Sequence, residues 1–343
     1  MQNQLKKGRK RVFLALFALL LIGNGSCFQT KTACANASYL CVMESTSRRI
    51  LYAENADIRM PMASTTKVLT AITALEFCEN LYEKITIPRE AVGIEGSSIY
   101  AKEGEIYTVE DLLYGMMLRS GNDAATALAL HFGGSISNFC AKMNETAQKS
   151  GALHSRFENP HGLPCENHYT TATDLSLITC YALKNPIFYQ IAGTRFYEPR
   201  GWYNKNKLLQ TYEGAIGVKT GYTKEAGRCL VAAAERENMQ LVCTLLNCYD
   251  HYQTAEKLLN DCFLAYQMTE ILSTEESFDV LMKENKVSAH VQSNVEYPLS
   301  EGEKEHLERQ IVAYESEKMD GSVGEIEIWL ANRLIFSEKL YKL

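Results

Sequence analysis

Ser64 and Lys67 stand three residues apart in Pro61-Met62-Ala63-Ser64-Thr65-Thr66-Lys67-Val68-Leu69-Thr70, at the head of an apolar, helix-like run. On a helix this spacing brings both side chains to one face, within hydrogen-bond reach. A serine hydroxyl becomes a nucleophile when a neighbouring base takes its proton, and a lysine serves as that base once its pKa has been lowered. Ser64 is therefore the candidate nucleophile and Lys67 its base. Such a pair arises about once by chance in a chain of this size and composition, so alone it carries little. Two further short motifs follow in order, Ser120-Gly121-Asn122 and Lys219-Thr220-Gly221. Taken singly, each is ordinary turn or strand-end chemistry. The joint appearance of all three by accident is improbable.

The elements that must position these residues can be outlined from pattern. Residues 38–43 and 48–52 read as a strand hairpin around the polar turn Glu44-Ser45-Thr46-Ser47. The run through Leu69, Ile72, Leu75 and Phe77 predicts a helix whose N-terminus, with its free N–H groups and positive dipole end, lies near Ser64. Thr108 and Asp111 form a capping box for a helix over 109–118, and a new helix begins near Asp123. Ser120-Gly121-Asn122 is then the corner between two helices, able to project a hydroxyl and an amide into a cleft. Further helices are expected over about 137–149, from 170–175 onward, and over about 253–266. Residues 215–218 read as a strand running into Lys219-Thr220-Gly221, with two more strands, 228–234 and 239–246, around the turn 235–238. Glycine at 221 would let a substrate backbone approach that strand closely, and Lys219 with Thr220 would hold a carboxylate.

Composition bounds the rest. With 343 residues, 46% hydrophobic and 22% charged, the chain has room for one large and one small domain and matches neither a disordered nor a polytopic membrane protein. The net charge of -6 offers no nucleic-acid footprint, the only basic cluster being Lys6, Lys7, Arg9, Lys10 and Arg11. That cluster precedes an apolar run over 12–23, the pattern of an export signal or an uncleaved N-terminal anchor, with Ala33-Cys34-Ala35 offering a cleavage site. Membrane contact is expected only through that segment, if uncleaved. Residues 338–343 carry no amphipathic helix, so anchoring through this end is not expected. The eleven cysteines show no disulfide framework and no C-x-x-C pair, and most are expected to be free and buried. His154, His161 and His168 are spaced by seven but interrupted by Pro160, Gly162 and Pro164, and read as structural or loop histidines, with no metal site and no cofactor expected. From about 273 the pattern changes to short alternating segments, a small β-rich region behind the linker 273–276.

With these motifs, and with Asn159-Pro160-His161-Gly162-Leu163, residues 168–175 and Lys219-Thr220-Gly221-Tyr222-Thr223, the chain resembles a low-molecular-mass penicillin-binding protein of the serine-type D-alanyl-D-alanine carboxypeptidase family. The resemblance implies an α+β fold: a β-lactamase/transpeptidase-like domain, with an antiparallel sheet flanked by helices plus a helical subdomain, then a small β-rich C-terminal domain. The implied division is 1–35 signal or anchor, 36–270 peptidase domain and 275–343 C-terminal domain. It further implies Ser64, Lys67 and Ser120 as catalytic residues, with Ser120 relaying a proton to the leaving D-alanine. Asn122, Lys219, Thr220, Gly221 and Tyr222 would bind substrate, and the N–H groups of Ser64 and Tyr222 would form the oxyanion hole. The implied partners are peptidoglycan stem peptides ending in D-Ala-D-Ala, with β-lactam antibiotics as covalent inhibitors. The implied location is extracytoplasmic, secreted to the cell-wall space or tethered by the N-terminus. Two alternatives share the motifs. A class A-like β-lactamase would add a deacylating glutamate with asparagine four residues on, which neither Glu158 nor Glu166 provides. A non-catalytic β-lactam-sensing or wall-binding module would keep the fold without turnover.

Overall fold

A computed structural model describes residues 38–343 apart from residue 284; the expected signal or anchor lies outside the described residues. The first hairpin forms as β1 (Tyr39–Glu44) and β2 (Ile50–Glu54), and β3 (Ala215–Thr223), β4 (Gly227–Arg236) and β5 (Met239–Leu246) complete an antiparallel sheet in the order β2-β1-β5-β4-β3. Period-two alternation sorts its side chains. Cys41, Met43, Val231, Ala233 and Val242 join one apolar cluster, while Leu40, Val42, Leu230, Ala232 and Leu241 join another. The second face is covered by a helix over His251–Ala265, through Ala255, Leu258, Leu259 and Cys262.

The first face meets a helical layer: α1 (Lys67–Glu76), α2 (Val109–Leu118), α3 (Asn122–Gly133), α4 (Ile136–Ser150), α5 (Ala172–Leu183) and α6 (Pro186–Gly193). Every residue of α1 from Lys67 to Leu75 is buried, and α2 to α6 all pack on it. Its apolar residues face the neighbouring helices on all sides, and the buried polar side chains Lys67 and Thr70 are met by hydrogen-bond partners. The expected capping box of α2 is present, with Thr108 Oγ1 accepting from Asp111 N at 3.0 Å. Two differences concern local structure. Ser64 lies in a 3-10 turn, Ala63–Thr66, that feeds into α1 rather than on the α-helix itself. Pattern reading also passed over α6, although Asn185 caps it with Pro186 in its first turn, and over the short hairpin of 196–197 with 202–203.

Beyond the helix His251–Ala265 the chain turns to β6 (Gln267–Leu272), β7 (Phe278–Met282), β8 (Asn285–His290), β9 (Val295–Leu299), β10 (Leu307–Ala313), β11 (Ser322–Leu330) and β12 (Arg333–Lys342). They form a sheet in the order β7-β8-β12-β11-β10 and a two-stranded β6-β9 ladder around their own core, which includes Val280, Leu299, Ile326 and Leu340. The terminal hairpin turns at Ala331-Asn332 as expected, both residues in the left-handed region that a two-residue hairpin requires. The β-rich region begins earlier than the expected linker, because β6 starts at Gln267 and its Ile271 and Leu272 already belong to the C-terminal core. The linker 273–276 is thus a connection inside that region, between β6 and β7. Residues 338–342 lie within β12.

Candidate active site

The turn that carries Ser64 is held from three sides. Behind it is α1, whose first residue, Lys67, places Nζ 3.0 Å from Ser64 Oγ. To one side is the Ser120-Gly121-Asn122 corner between α2 and α3, where Ser120 adopts φ +65, a left-handed conformation that a serine tolerates only under constraint. To the other is β3. A Cβ added at Gly221 would lie 3.0 Å from Ser64 N and 3.1 Å from Met62 O, so glycine there lets the chain's own nucleophile turn approach the strand. The sequence had pointed to substrate approach as the reason for this glycine; the close neighbour is Met62–Thr65.

Lys67 Nζ also lies 2.6 Å from Asn122 Oδ1 and 2.7 Å from the carbonyl oxygen of His161. Those two oxygens can only accept, and an uncharged amine has two N–H donors and one lone pair. The lone pair is then left to face Ser64 Oγ, which can donate its proton. Electrostatics favour that uncharged form. Burial holds the Lys67 pKa well below the usual lysine range, Lys219 and Lys205 push the same way, and Asp123 pulls weakly against them. The like-charge effect expected from Lys219 is present, but second to burial. Asn122 is oriented by its own amide nitrogen, which donates to the carbonyl of Glu95.

Lys219 is 2% exposed and its pKa is brought down to about 7, by burial first and then by Lys205. Its Nζ donates to the carbonyl oxygen of Thr220 at 3.0 Å. Thr220, Gly221 and the largely exposed Tyr222 line a cleft of about 1050 Å³ with Ser64 and Ser120, so the expected site residues converge on one place. Asn122 lines an adjoining arm of about 410 Å³ that shares Ser64 and Tyr222.

Several contributors lie outside the three short motifs. Gly162, at φ +88, packs so tightly on the nucleophile turn that an added Cβ would sit 1.8 Å from Ala63 O. Thr70 Oγ1 donates to Pro160 O at 2.6 Å, clamping the same 159–163 loop to α1. His168 Nδ1 accepts from Glu158 N, so Nε2 donates to Thr66 Oγ1 at 2.9 Å, and burial brings the ring pKa to about 4. His161 is similarly lowered to about 3, chiefly by burial and then by Lys67. Both rings are neutral struts, and no group of three or more potential metal ligands occurs among the described residues. Asp123 accepts from the backbone N–H groups of Ile99 and Ala101, fixing the 95–101 loop against the Ser120-Gly121-Asn122 corner, where Ser97 O accepts from Asn122 N at 2.7 Å. Among the described residues all nine cysteines are free; seven are buried, and Cys165 is exposed.

With this geometry in view, comparison with known proteins is informative. A family model described as D-alanyl-D-alanine carboxypeptidase matches residues 27–249. The chain is 31% identical over 255 residues to D-alanyl-D-alanine carboxypeptidase DacF of Bacillus subtilis, covering 70% of this chain and 65% of that protein. It is 29% identical over 287 residues to D-alanyl-D-alanine carboxypeptidase DacC of Escherichia coli, covering 78% of this chain and 70% of that one. Its fold superposes on penicillin binding protein 5 from Haemophilus influenzae with a TM-score of 0.76 at 25% identity, covering 90% of this chain and 96% of that one.

Proposed function

Because this chain belongs to the D-alanyl-D-alanine carboxypeptidase family, we propose that it removes the terminal D-alanine from peptidoglycan stem peptides ending in D-Ala-D-Ala through an acyl-enzyme on Ser64. β-Lactams acylate the same hydroxyl. The observation that carries the reading is the contact of Ser64 Oγ with a buried lysine whose other two partners can only accept.

In this mechanism Lys67 Nζ takes the Ser64 proton as Oγ attacks the carbonyl carbon of the penultimate D-alanine. The carbonyl electron pair moves onto oxygen, facing the N–H groups of Ser64 and Tyr222. Collapse breaks the C–N bond. Ser120 gives its proton to the departing amine and is reprotonated from the Lys67 ammonium. Water then attacks the ester carbonyl, Lys67 again accepts a proton, and Ser64 is restored. Asn122 orients the substrate amide, while Lys219 and Thr220 serve the terminal carboxylate. The β-lactamase alternative is less well supported, because the Glu158 carboxylate engages Arg156 and Cys165 rather than Lys67, and Glu166 is exposed. A slow second step, and hence a persistent β-lactam adduct, follows from that arrangement.

The peptidase unit in this reading ends with the helix His251–Ala265, and the β-rich region from Gln267 onward is a separate small domain. Residues 1–35 act as export signal or N-terminal tether, placing the enzyme in the cell-wall space. Among the described residues no helix is long and apolar enough to cross a membrane.

The test is release of D-alanine from diacetyl-L-Lys-D-Ala-D-Ala by the wild type and by Ser64→Ala. Release that disappears in the variant is the expected result; wild-type protein that releases no D-alanine would overturn the reading.

A further inference from the structure

In the carboxypeptidase reading the substrate lies across two arms of one cleft, with Ser64 lining both. Thr220, which serves the terminal carboxylate, lines the larger arm, whereas Asn122, which orients the substrate amide, lines the smaller one of about 410 Å³. The residue that precedes D-Ala-D-Ala therefore enters the smaller arm.

The charge of that arm is one-sided. Arg119 and Lys205 both line it, His161 is neutral, and no acid is among its lining residues. Asp123, beside the corner, is turned to the N–H groups of Ile99 and Ala101, and Glu95 meets Asn122 through its backbone carbonyl. The backbone brings the two cations together, since Lys205 N donates to Leu118 O at the end of α2. Burial and then Arg119 lower the Lys205 pKa from the usual lysine range, so the pair lies close enough to repel. Lys205 Nζ is engaged by Ser97 Oγ at 3.2 Å. The half-buried Arg119 differs: its guanidinium makes no ion pair, hydrogen bond or ring contact among the described residues. A cation at a helix C-terminus often serves the helix's own last carbonyls. Here Gly115 O and Leu118 O accept from the backbone N–H groups of Arg119, Gly121 and Lys205, and the guanidinium bonds to neither. A planar fork of donors without a partner, in the arm that the reacting serine lines, fits a carboxylate.

We infer that Arg119 receives a carboxylate borne by the side chain of the residue preceding D-Ala-D-Ala, so that the preferred substrate is a stem peptide whose third residue is a diamino diacid rather than lysine. Tyr100, which lines the same arm and is 83% exposed, offers its ring to the methylene stem of that side chain. This assignment rests on the carboxypeptidase reading above and names the substrate class for it.

The experiment measures D-alanine release from two N-acetylated diaminopimelyl-D-Ala-D-Ala peptides that differ only in the side-chain carboxylate, free in one and amidated in the other. Diacetyl-L-Lys-D-Ala-D-Ala is the reference, and wild type, Arg119→Gln and Arg119→Lys are compared, with circular dichroism as the folding control. Wild type prefers the free acid over the amide. Arg119→Gln lowers kcat/KM on the free acid about 10- to 100-fold, the loss expected for one hydrogen bond to a charged group. The fall is mostly in KM and is much smaller on the amide and the reference, so the preference collapses. Arg119→Lys regains part of it. Wild type that releases D-alanine from all three peptides without preferring the free acid overturns the inference and leaves the carboxypeptidase reading intact. An unchanged preference in Arg119→Gln also overturns it, as does an equal fall on all three peptides, which marks a structural role. Wild type that releases D-alanine from none of them defeats the carboxypeptidase reading and this inference with it.

Discussion

Lys67 and Lys219 are both buried and close enough to influence each other, and in the proposed mechanism their charge states set the chemistry. Lys67→Ala removes the one group among the described residues that contacts the Ser64 hydroxyl and can take its proton. Acylation by a β-lactam should slow by about 10²- to 10⁴-fold, measured as a second-order rate constant. Lys219 gives a stability prediction. Its folded pKa of about 7 lies below that of an exposed lysine, so between about pH 7 and 10 the unfolded chain binds more protons than the folded one. Its contribution to stability therefore rises with pH through that window, and the burial penalty is greatest below it. Lys219→Met should raise stability by about 1–2 kcal/mol near pH 6, with the gap to wild type closing toward about pH 9, in urea titrations of constant m-value. At this scale the motif residues were legible because their spacing is diagnostic. The carbonyl of His161, Asp123 and Lys205 were not, since a backbone oxygen has no residue type and a lone acid or lysine carries no periodicity.

At the scale of elements, the site depends on a loop that composition marks as a turn and whose Asn159-Pro160-His161-Gly162-Leu163 also carries the family resemblance. The 159–163 loop supplies the His161 carbonyl, and Gly162 seats it against Ala63. Gly162→Ala combines a left-handed backbone with a clash against a carbonyl oxygen, which should cost about 2–5 kcal/mol in stability. It should also slow β-lactam acylation, since Lys67 loses its positioned acceptor; chemical denaturation and adduct formation check the two effects separately. The helices and the five-stranded sheet were readable from caps and alternation, as at Thr108 and in the strands 228–234 and 239–246. The 3-10 turn at Ser64 was not, because four residues show no period and the left-handed Ala63 that opens it has no side-chain signature. β6 and β9 escaped notice for a related reason: neither alternates cleanly between buried and exposed positions, and Pro298 sits inside β9.

At the scale of the whole molecule, Arg49 in the first hairpin ties the large sheet to the β-rich region. It donates to Pro298 O and pairs with Glu303, with its guanidinium over the rings of Tyr266 and Tyr297. Arg49→Ala should lower stability by about 1–3 kcal/mol in denaturant titration while D-alanine release proceeds as in wild type, because Arg49 lies outside the cleft. The two-part architecture could be read from the change of pattern near residue 273, but this long-range contact could not, since nothing in an isolated arginine names a partner some 250 positions away.

The central claim is that Ser64, activated by Lys67, is the acylated residue. Intact mass after exposure to penicillin, for wild type and Ser64→Ala, tests it most directly. The account predicts a gain of one penicillin mass that persists in wild type and is absent from the variant. An adduct that forms equally on Ser64→Ala would contradict it, and so would wild-type protein that takes up no penicillin at all.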